Sequence, residues 1–383
     1  MAFKVVTPGF EETFERWTDA LDKANSMKSS LKSWFKDIRI LEDGPRGWTP
    51  VWVYGRGRSH PEYLGPGTYD RLATLFMAEG RAEAQAQAQQ QSQQQVKQQS
   101  KQNWQIRDKE FAWGSRTYLM GVLNVTPDSF SDGGEFDTVE TALAQAKALV
   151  EAEMDILDIG GQSSRPGSLP TTLEEECDRV IPVIKAIRSA SHDWLRDIPI
   201  SVDTTRAEVA RAALAAGADI INDISGGTYE PDILKVTAEA KAPIMLMHLR
   251  GTPETMQQMT DYDDLMGEIV SFLAAQADKA VAAGIEPSKI VVDPGIGFAK
   301  TVAQNITILK ELEALAVLGC PILIGTSRKS FIGKILNRPE AKDRVWGTAA
   351  TCGCAIAHGA DILRVHDGPQ MRDVCKMADQ LWR

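Results

Sequence analysis

Cysteine is scarce and unevenly placed: there are five, Cys177, Cys320, Cys352, Cys354 and Cys375, and none in the first 170 residues. Cys352 and Cys354 have no second pair and no histidine at zinc spacing, which excludes a disulfide framework and a zinc knuckle and suits reduced thiols. No apolar run approaches the ~20 residues that span a bilayer. The first residues lack the apolar core of a secretory signal, so a cytoplasmic protein is expected. Excess positive charge is also missing. The net charge is -10; residues 1–105 carry 14 Lys/Arg against 12 Asp/Glu, and the remainder 28 against 40. An acidic body argues against nucleic acid as the main partner, and any anionic substrate must be met by basic groups concentrated locally. Apolar residues run out in one place. From Gln85 to Gln105 the chain is mostly Gln with Ala, Ser and Lys. Such a stretch cannot offset its ordering entropy, and it has no a/d seam for a coiled coil. Residues 81–105 therefore read as a Gln-rich linker.

Residues 1–80 precede it as an extension of their own. Phe14, Trp17, Leu21, Met27, Leu31, Trp34 and Phe35 fall near helical spacing and predict one or two amphipathic helices between Phe10 and Phe35. Thr49–Tyr54 predicts a short strand and Tyr69–Met77 a further helix. Six of the nine tryptophans lie in residues 1–113, a density that suits a small core or an interaction surface. The expectation is a mostly helical extension with no catalytic constellation, serving as a tether, an oligomerisation element or a docking module for a protein partner.

From about residue 106 apolar runs with strand character alternate with helix-period segments. Strands are predicted at 117–124, 154–159, 198–203, 218–223, 243–248, 289–293, 320–326 and 361–366. The helices between them fall at 138–152, 172–190, 205–216, 230–240, 262–283, 302–317, 343–358 and 369–382, with a shorter one at 328–336. Eight βα units in roughly 270 residues match a TIM (β/α)8 barrel. A doubly wound sheet has fewer strands, and no GxGxxG follows the first one.

In such a barrel the site forms at the C-terminal ends of the strands, and these ends are polar almost throughout. They carry Asn124, Asp158, Asp203, Asn222 with Asp223, His248 and Asp293. The seventh opens into Thr326, Ser327, Arg328, Lys329 and Ser330, and the eighth carries Arg364 and His366. A buried amide or hydroxyl without a partner costs roughly 2–7 kcal/mol, so a packed core would not choose this set. Asp203, Asn222 and Asp293 suit a flat heterocycle with N–H donors and a carbonyl. Arg165, Lys329, Arg364 and His366 suit an anion, and arginine also stacks on rings. Asn124 could hold a hydrated Mg²⁺ on a phosphate. Ser327 to Ser330 lie where a loop becomes a helix, a place that receives carboxylates and phosphates.

Residues 117–383 resemble dihydropteroate synthase. The matching stretches are GVLNVTPDSFSDGG (Gly121–Gly134), DIGGQSSRPGS, SVDT, INDISGG, MHLRGTPETMQ, DPGIGFAKT, GTSRKSFIG and RVHD, in the family's order over the whole barrel. The resemblance implies a Mg²⁺-assisted condensation of 6-hydroxymethyl-7,8-dihydropterin pyrophosphate with p-aminobenzoate, giving 7,8-dihydropteroate and pyrophosphate in folate biosynthesis. It implies pterin contacts by Asp203, Asn222, Asp293 and Lys329, with Arg364 against the ring. Pyrophosphate would lie near Asn124, through Mg²⁺, and near Arg165, Arg364 and His366. The p-aminobenzoate would lie near Phe130, Ser164, Arg165, Ser327 and Ser330. Catalysis would rest on Arg165, Lys329, Arg364 and His366, and a homodimer is implied. Where the family often has Glu-Ser-Thr-Arg-Pro, this chain has Gln162-Ser163-Ser164-Arg165-Pro166. Ser164 keeps the hydroxyl and loses a methyl, which could alter sulfonamide sensitivity. Residues 1–105 are the second departure. A pterin-dependent methyltransferase would share Asp203, Asn222 and Asp293 but has no use for Ser164–Arg165, the Ser327–Ser330 helix start or the Arg364–His366 pair. A non-catalytic pterin-binding scaffold is the other alternative, yet no strand end is damaged. The synthase reading requires Asp203 and Asp293 at one end of the barrel, facing Lys329 and Arg364.

Overall fold

The computed structural model describes residues 103–125, 135–162 and 171–383, and nearer the N-terminus residues 3–7, 10–15, 20, 23–24, 38–44, 47–54 and 62–63. The chain divides into two units, Met1–Gln90 and Gln91–Arg383, and the division falls inside the Gln-rich stretch. The first unit contains β1 (Phe3–Thr7), β2 (Phe10–Phe14), β3 (Ile38–Gly44), β4 (Gly47–Tyr54) and β5 (Glu62–Tyr63), joined in the order β2-β1-β3-β4-β5 with every pairing antiparallel. Val5 pairs with Ile40 and both are fully buried.

The strand expected at Thr49–Tyr54 is present within β4. The mostly helical extension is not what these residues form: Phe10–Phe14 pairs with β1, and helical backbone among the described residues of this unit is confined to Ala20, Lys23 and Ala24. Phe10 and Phe14 are four apart, a spacing that shares one face in a helix and in a strand alike. The signal that decides between them is Pro8-Gly9, two turn-forming residues separating two short runs. The helix expected at Tyr69–Met77 lies outside the described residues.

The second unit opens with a hairpin, β6 (Trp104–Ile106) and β7 (Lys109–Phe111). Trp104 and Gln105 therefore belong to the packed unit rather than to the linker that composition extends to residue 105. Then come β8 (Tyr118–Asn124), β9 (Ile156–Gly160), β10 (Ile200–Asp203), β11 (Ile220–Asp223), β12 (Ile244–Met247), β13 (Ile290–Asp293), β14 (Leu323–Ile324) and β15 (Ile362–Val365). They form one parallel sheet in the order β13-β12-β11-β10-β9-β8-β15-β14. A parallel bridge between Val292 and Ile322 closes it into a barrel. All eight expected strands are there. Helices α1 (Glu135–Glu151), α2 (Leu173–Arg188), α3 (Asp193–Arg196), α4 (Ala207–Ala216), α5 (Asp232–Glu239), α6 (Leu265–Ala282), α7 (Val302–Lys310), α8 (Ser330–Leu336), α9 (Val345–Ala357) and α10 (Gly368–Trp382) lie in the connections. Capping fixes several starts: Thr172 with Glu175, and Thr301 with Gln304, form reciprocal boxes at α2 and α7, and Asp264 caps α6. The helix expected at 302–317 divides at Glu311 into α7 and a 3-10 segment, Leu312–Leu318.

Strand alternation separates two cores. Leu119, Leu123, Leu157, Ile159, Val292 and Leu363 face outward into the apolar layer beneath the helices. Tyr118, Met120, Ile156, Ile220, Met245, Val291, Leu323 and Ile362 face inward and pack against Trp104, Ile106 and Phe111 of the hairpin. Trp104 Nε1 donates to the Ser288 carbonyl at 2.5 Å. The hairpin thus stoppers the end of the barrel where the strands begin. That leaves the other end for chemistry.

Candidate active site

One inward step beyond that apolar ring, the side chains turn polar. Two positions after Ile156, Ile220, Val291 and Ile362 stand Asp158, Asn222, Asp293 and Arg364. Arg364 ties them together. Its Nε donates to Asp158 Oδ2 at 2.6 Å and its Nη2 to Asp203 Oδ2 at 2.8 Å. Asn222 Nδ2 donates to the same Asp158 oxygen at 3.3 Å. Four strands, β9, β10, β11 and β15, are linked through four side chains. Burial works against the Arg364 charge, but Asp158 and Asp203 outweigh it and hold the guanidinium above its ordinary value. Burial pushes the Asp203 carboxyl up to about 7; Arg364 offsets part of this, and the nearby Asp158 charge adds to it.

Asp293 and Lys329 complete the floor. Burial raises the Asp293 carboxyl against the opposing charge of Lys329, and burial pushes the Lys329 ammonium down to about 8 against the charge of Asp293. Lys329 Nζ donates to the Ile296 carbonyl and lies 4.6 Å above the Phe298 ring. Asp293 is aimed by its own turn: Gly295 N donates to Asp293 Oδ1 at 2.7 Å. Gly295 has φ +72°, and a Cβ there would stand 2.1 Å from the His248 carbonyl oxygen, so the turn admits only glycine.

Asn124 ends β8 at the rim. Gly160 stands between it and Asp203: a Cβ on Gly160 would lie 3.7 Å from Asn124 Oδ1 and 3.8 Å from Asp203 Oδ2. Ser327 Oγ accepts from the His366 backbone N–H at 3.1 Å and lies 3.0 Å from His366 Nδ1. Ser330 opens α8 beside a cavity of about 320 Å³ whose walls include Gln257, Thr301, Asn305 and Lys334. Arg328 between them is turned aside, with Nε on Asp367 at 3.1 Å.

Of the residues expected from sequence, Asp203, Asn222, Asp293, Lys329 and Arg364 converge at the strand-end side of the barrel, with Asn124 beside Asp203. Asp203 and Asp293 face Lys329 and Arg364, as the synthase reading requires. Phe130, Ser164 and Arg165 lie outside the described residues.

Asp158, Lys300, His248 and Asp223 surround this set without a part in the expected substrate contacts. Asp158 is wholly buried at the centre of the network; the signal was an acid at an inward position of an otherwise apolar strand. Lys300, 3% exposed, lies under the turn after β13. Its Nζ is 3.0 Å from His248 Nδ1 and donates to the Phe298 carbonyl at 2.9 Å. His248 therefore faces Lys300, and burial with that neighbouring charge pushes it down to about 3, leaving it a neutral acceptor. Asp223 accepts from Ser225 N at 2.8 Å and Gly227 N at 2.7 Å, so it shapes the loop after β11.

Residues 120–366 match the family described as pterin binding enzyme. A dihydropteroate synthase of Synechocystis is 61% identical over 273 residues, covering 71% of this chain and 93% of that protein. Among solved structures, the Yersinia pestis dihydropteroate synthase with a sulfonamide drug complex has a TM-score of 0.67 at 39% identity, covering 73% of this chain and 99% of that one. The Xanthomonas albilineans enzyme in complex with 7,8-dihydropteroate has a TM-score of 0.65 at 38% identity, covering 73% and 98%. With a closed (β/α)8 barrel, a polar floor joined through Arg364 and these likenesses, the chain belongs to the pterin binding enzyme family, among its dihydropteroate synthases.

Proposed function

We propose that the barrel condenses 6-hydroxymethyl-7,8-dihydropterin pyrophosphate with p-aminobenzoate, and that the observation carrying this assignment is the Arg364 network facing Asp293 and Lys329. The pterin lies on this floor. Its N–H groups donate to Asp203 and Asp293, Asn222 serves both a donor and an acceptor, Lys329 meets the ring carbonyl, and Arg364 packs on the ring face. The carbon–oxygen bond to pyrophosphate breaks, the aniline nitrogen attacks the methylene carbon, and that nitrogen releases a proton. Arg165, Arg364 and His366 stabilise negative charge growing on the leaving group. The two floor acids stabilise positive charge on the pterin. The p-aminobenzoate lies near Phe130, Ser164, Arg165, Ser327 and Ser330.

Asn124 presents a hard amide oxygen at the rim next to Asp203, a donor set that suits a Mg²⁺ keeping most of its waters and held chiefly through the substrate's phosphates. Bound there, the ion would supply positive charge to the pyrophosphate. The barrel unit, from the hairpin at Trp104 onward, carries this chemistry, residues 1–80 a separate role, and the Gln-rich stretch the connection. No described helix is long and apolar enough to cross a membrane, in keeping with work in the cytoplasm. Trp346 on α9 and Leu381 and Trp382 on α10 are 79%, 58% and 52% exposed; apolar exposure on these two helices is in keeping with a homodimer, to be read by analytical ultracentrifugation.

The test is Arg364→Ala and Lys329→Ala in a pyrophosphate-release assay. Each should lower kcat/KM at least a hundredfold. Near-normal turnover in either defeats the assignment.

A further inference from the structure

Lys300 is a buried cation that the proposed chemistry does not use, and its surroundings are specific. It lies at the end of the turn that carries Asp293, Gly295 and Phe298. Its Nζ donates to the Phe298 carbonyl at 2.9 Å and meets His248 Nδ1 at 3.0 Å. A Cβ on Gly295 would stand 3.3 Å from Lys300 Nζ, so the ammonium lies directly behind the residue whose N–H aims Asp293 Oδ1. The same turn is stitched to β12, since the His248 backbone N–H donates to the Asp293 carbonyl at 2.8 Å. Phe298, whose carbonyl Lys300 holds, presents its ring to Lys329 Nζ at 4.6 Å. Lys300 therefore lies beneath the turn that carries Asp293 and holds the carbonyl of the residue whose ring meets Lys329.

We propose that Lys300 is a positioning residue for the pterin pocket, holding the Asp293 carboxylate and the Phe298 ring in register and supplying a positive charge behind them. A methylene stem would fill the same space. What it would not supply is a donor to two acceptors or a charge opposite Asp293. The groups facing this ammonium from neighbouring elements are His248 and Arg250 after β12, Asp293 at the end of β13 and Lys329 after β14. Asp293 is the only acid in that set. A buried ammonium with two acceptors and one acid is costly to keep, and burial lowers it to about 7.

The inference rests on the pterin assignment of Asp293, and the experiment separates the two. Binding of 6-hydroxymethylpterin is measured by calorimetry on the full chain for the wild type, Lys300→Met, Lys300→Arg, Asp293→Asn and the double variant Lys300→Met/Asp293→Asn, together with KM for p-aminobenzoate and kcat. Lys300→Met should weaken pterin binding about tenfold while KM for p-aminobenzoate stays unchanged, and Lys300→Arg should recover most of the loss. In the Asp293→Asn background, Lys300→Met should cost less than about twofold, because it acts through the carboxylate already removed. Where Lys300→Met does not fold, Lys300→Gln, which keeps a donor for Phe298, goes through the same cycle. Equal losses with and without Asp293, or a rise in KM for p-aminobenzoate alongside the loss of pterin binding, overturn the inference. Normal pterin binding by Asp293→Asn overturns the pterin assignment itself.

Discussion

Asp158→Asn should pull stability and pH dependence in different directions. The carboxylate is wholly buried and takes the Arg364 Nε at 2.6 Å and Asn222 Nδ2 at 3.3 Å on one oxygen. An asparagine keeps that oxygen and removes the charge. Deleting one partner of a buried ion pair costs ~3–5 kcal/mol. Here Arg364 still has Asp203 at 2.8 Å and the geometry survives, so a smaller loss of about 2 kcal/mol is expected. For a barrel of this size that lowers Tm by roughly 3–4 °C. The opposite movement concerns Asp203. Its carboxyl sits at about 7, first through burial, and the Asp158 charge is among the causes that raise it. Removing that charge leaves Asp203 the sole claimant on Arg364 and lowers its pKa. The acid limb of kcat/KM for pterin pyrophosphate, followed by pyrophosphate release between pH 5.5 and 8.5, should therefore move to lower pH. A variant with wild-type Tm, or one whose acid limb moves up, would refute the shared-cation account.

Three further outcomes follow from the same geometry. Because burial raises the Asp203 carboxyl to about 7, the contribution of this group is most favourable below its unfolded pKa and is lost as pH rises through the folded one. Asp203→Asn cannot ionise, so its Tm relative to wild type should rise between pH 6 and pH 8 by differential scanning fluorimetry; a fall would contradict the sign. Trp104→Ala should lower stability by about 3–5 kcal/mol and leave kcat unchanged where the protein is folded, since Trp104 packs at the end of the barrel remote from Arg364; a chemical step slowed in proportion would sink that separation. Gly295→Ala must place a Cβ where the His248 carbonyl oxygen stands at 2.1 Å with φ at +72°. It should lose pterin binding in calorimetry even where circular dichroism shows a folded barrel, and an alanine variant with normal pterin affinity would show that the turn can relax.

The barrel was legible because its two periods are clean. Each strand is a short apolar run and each is followed by a helix-period stretch, so all eight strands were found, with edges off by a few residues where extended chain continues beyond the ladder, as around the two-residue β14. The polar strand ends were legible for the same reason: a group such as Asp293 at the end of Ile-Val-Val has no apolar use. Asp158 and Lys300 were harder. Their importance lies in what they touch, and Arg364 is 206 positions from Asp158, a pairing that only barrel closure brings about. Phe10–Phe14 is the place in the extension where a strand stands in place of the expected helix. Aromatic residues four apart fit a helix and a strand equally, and Pro8-Gly9 is the part of the sequence that distinguishes them. Trp104 failed because composition draws a boundary by average character, while packing draws it at the first side chain with a hole to fill.

The guanidinium held between Asp158 and Asp203 has a consequence for inhibition. Its orientation is settled before any ligand arrives, so a flat molecule that fits the floor meets a finished surface and spends little of its affinity on rearranging it. Escape by substitution is correspondingly narrow at that depth, because altering the clamp to repel an intruder also undoes the ion pair joining one strand to the next.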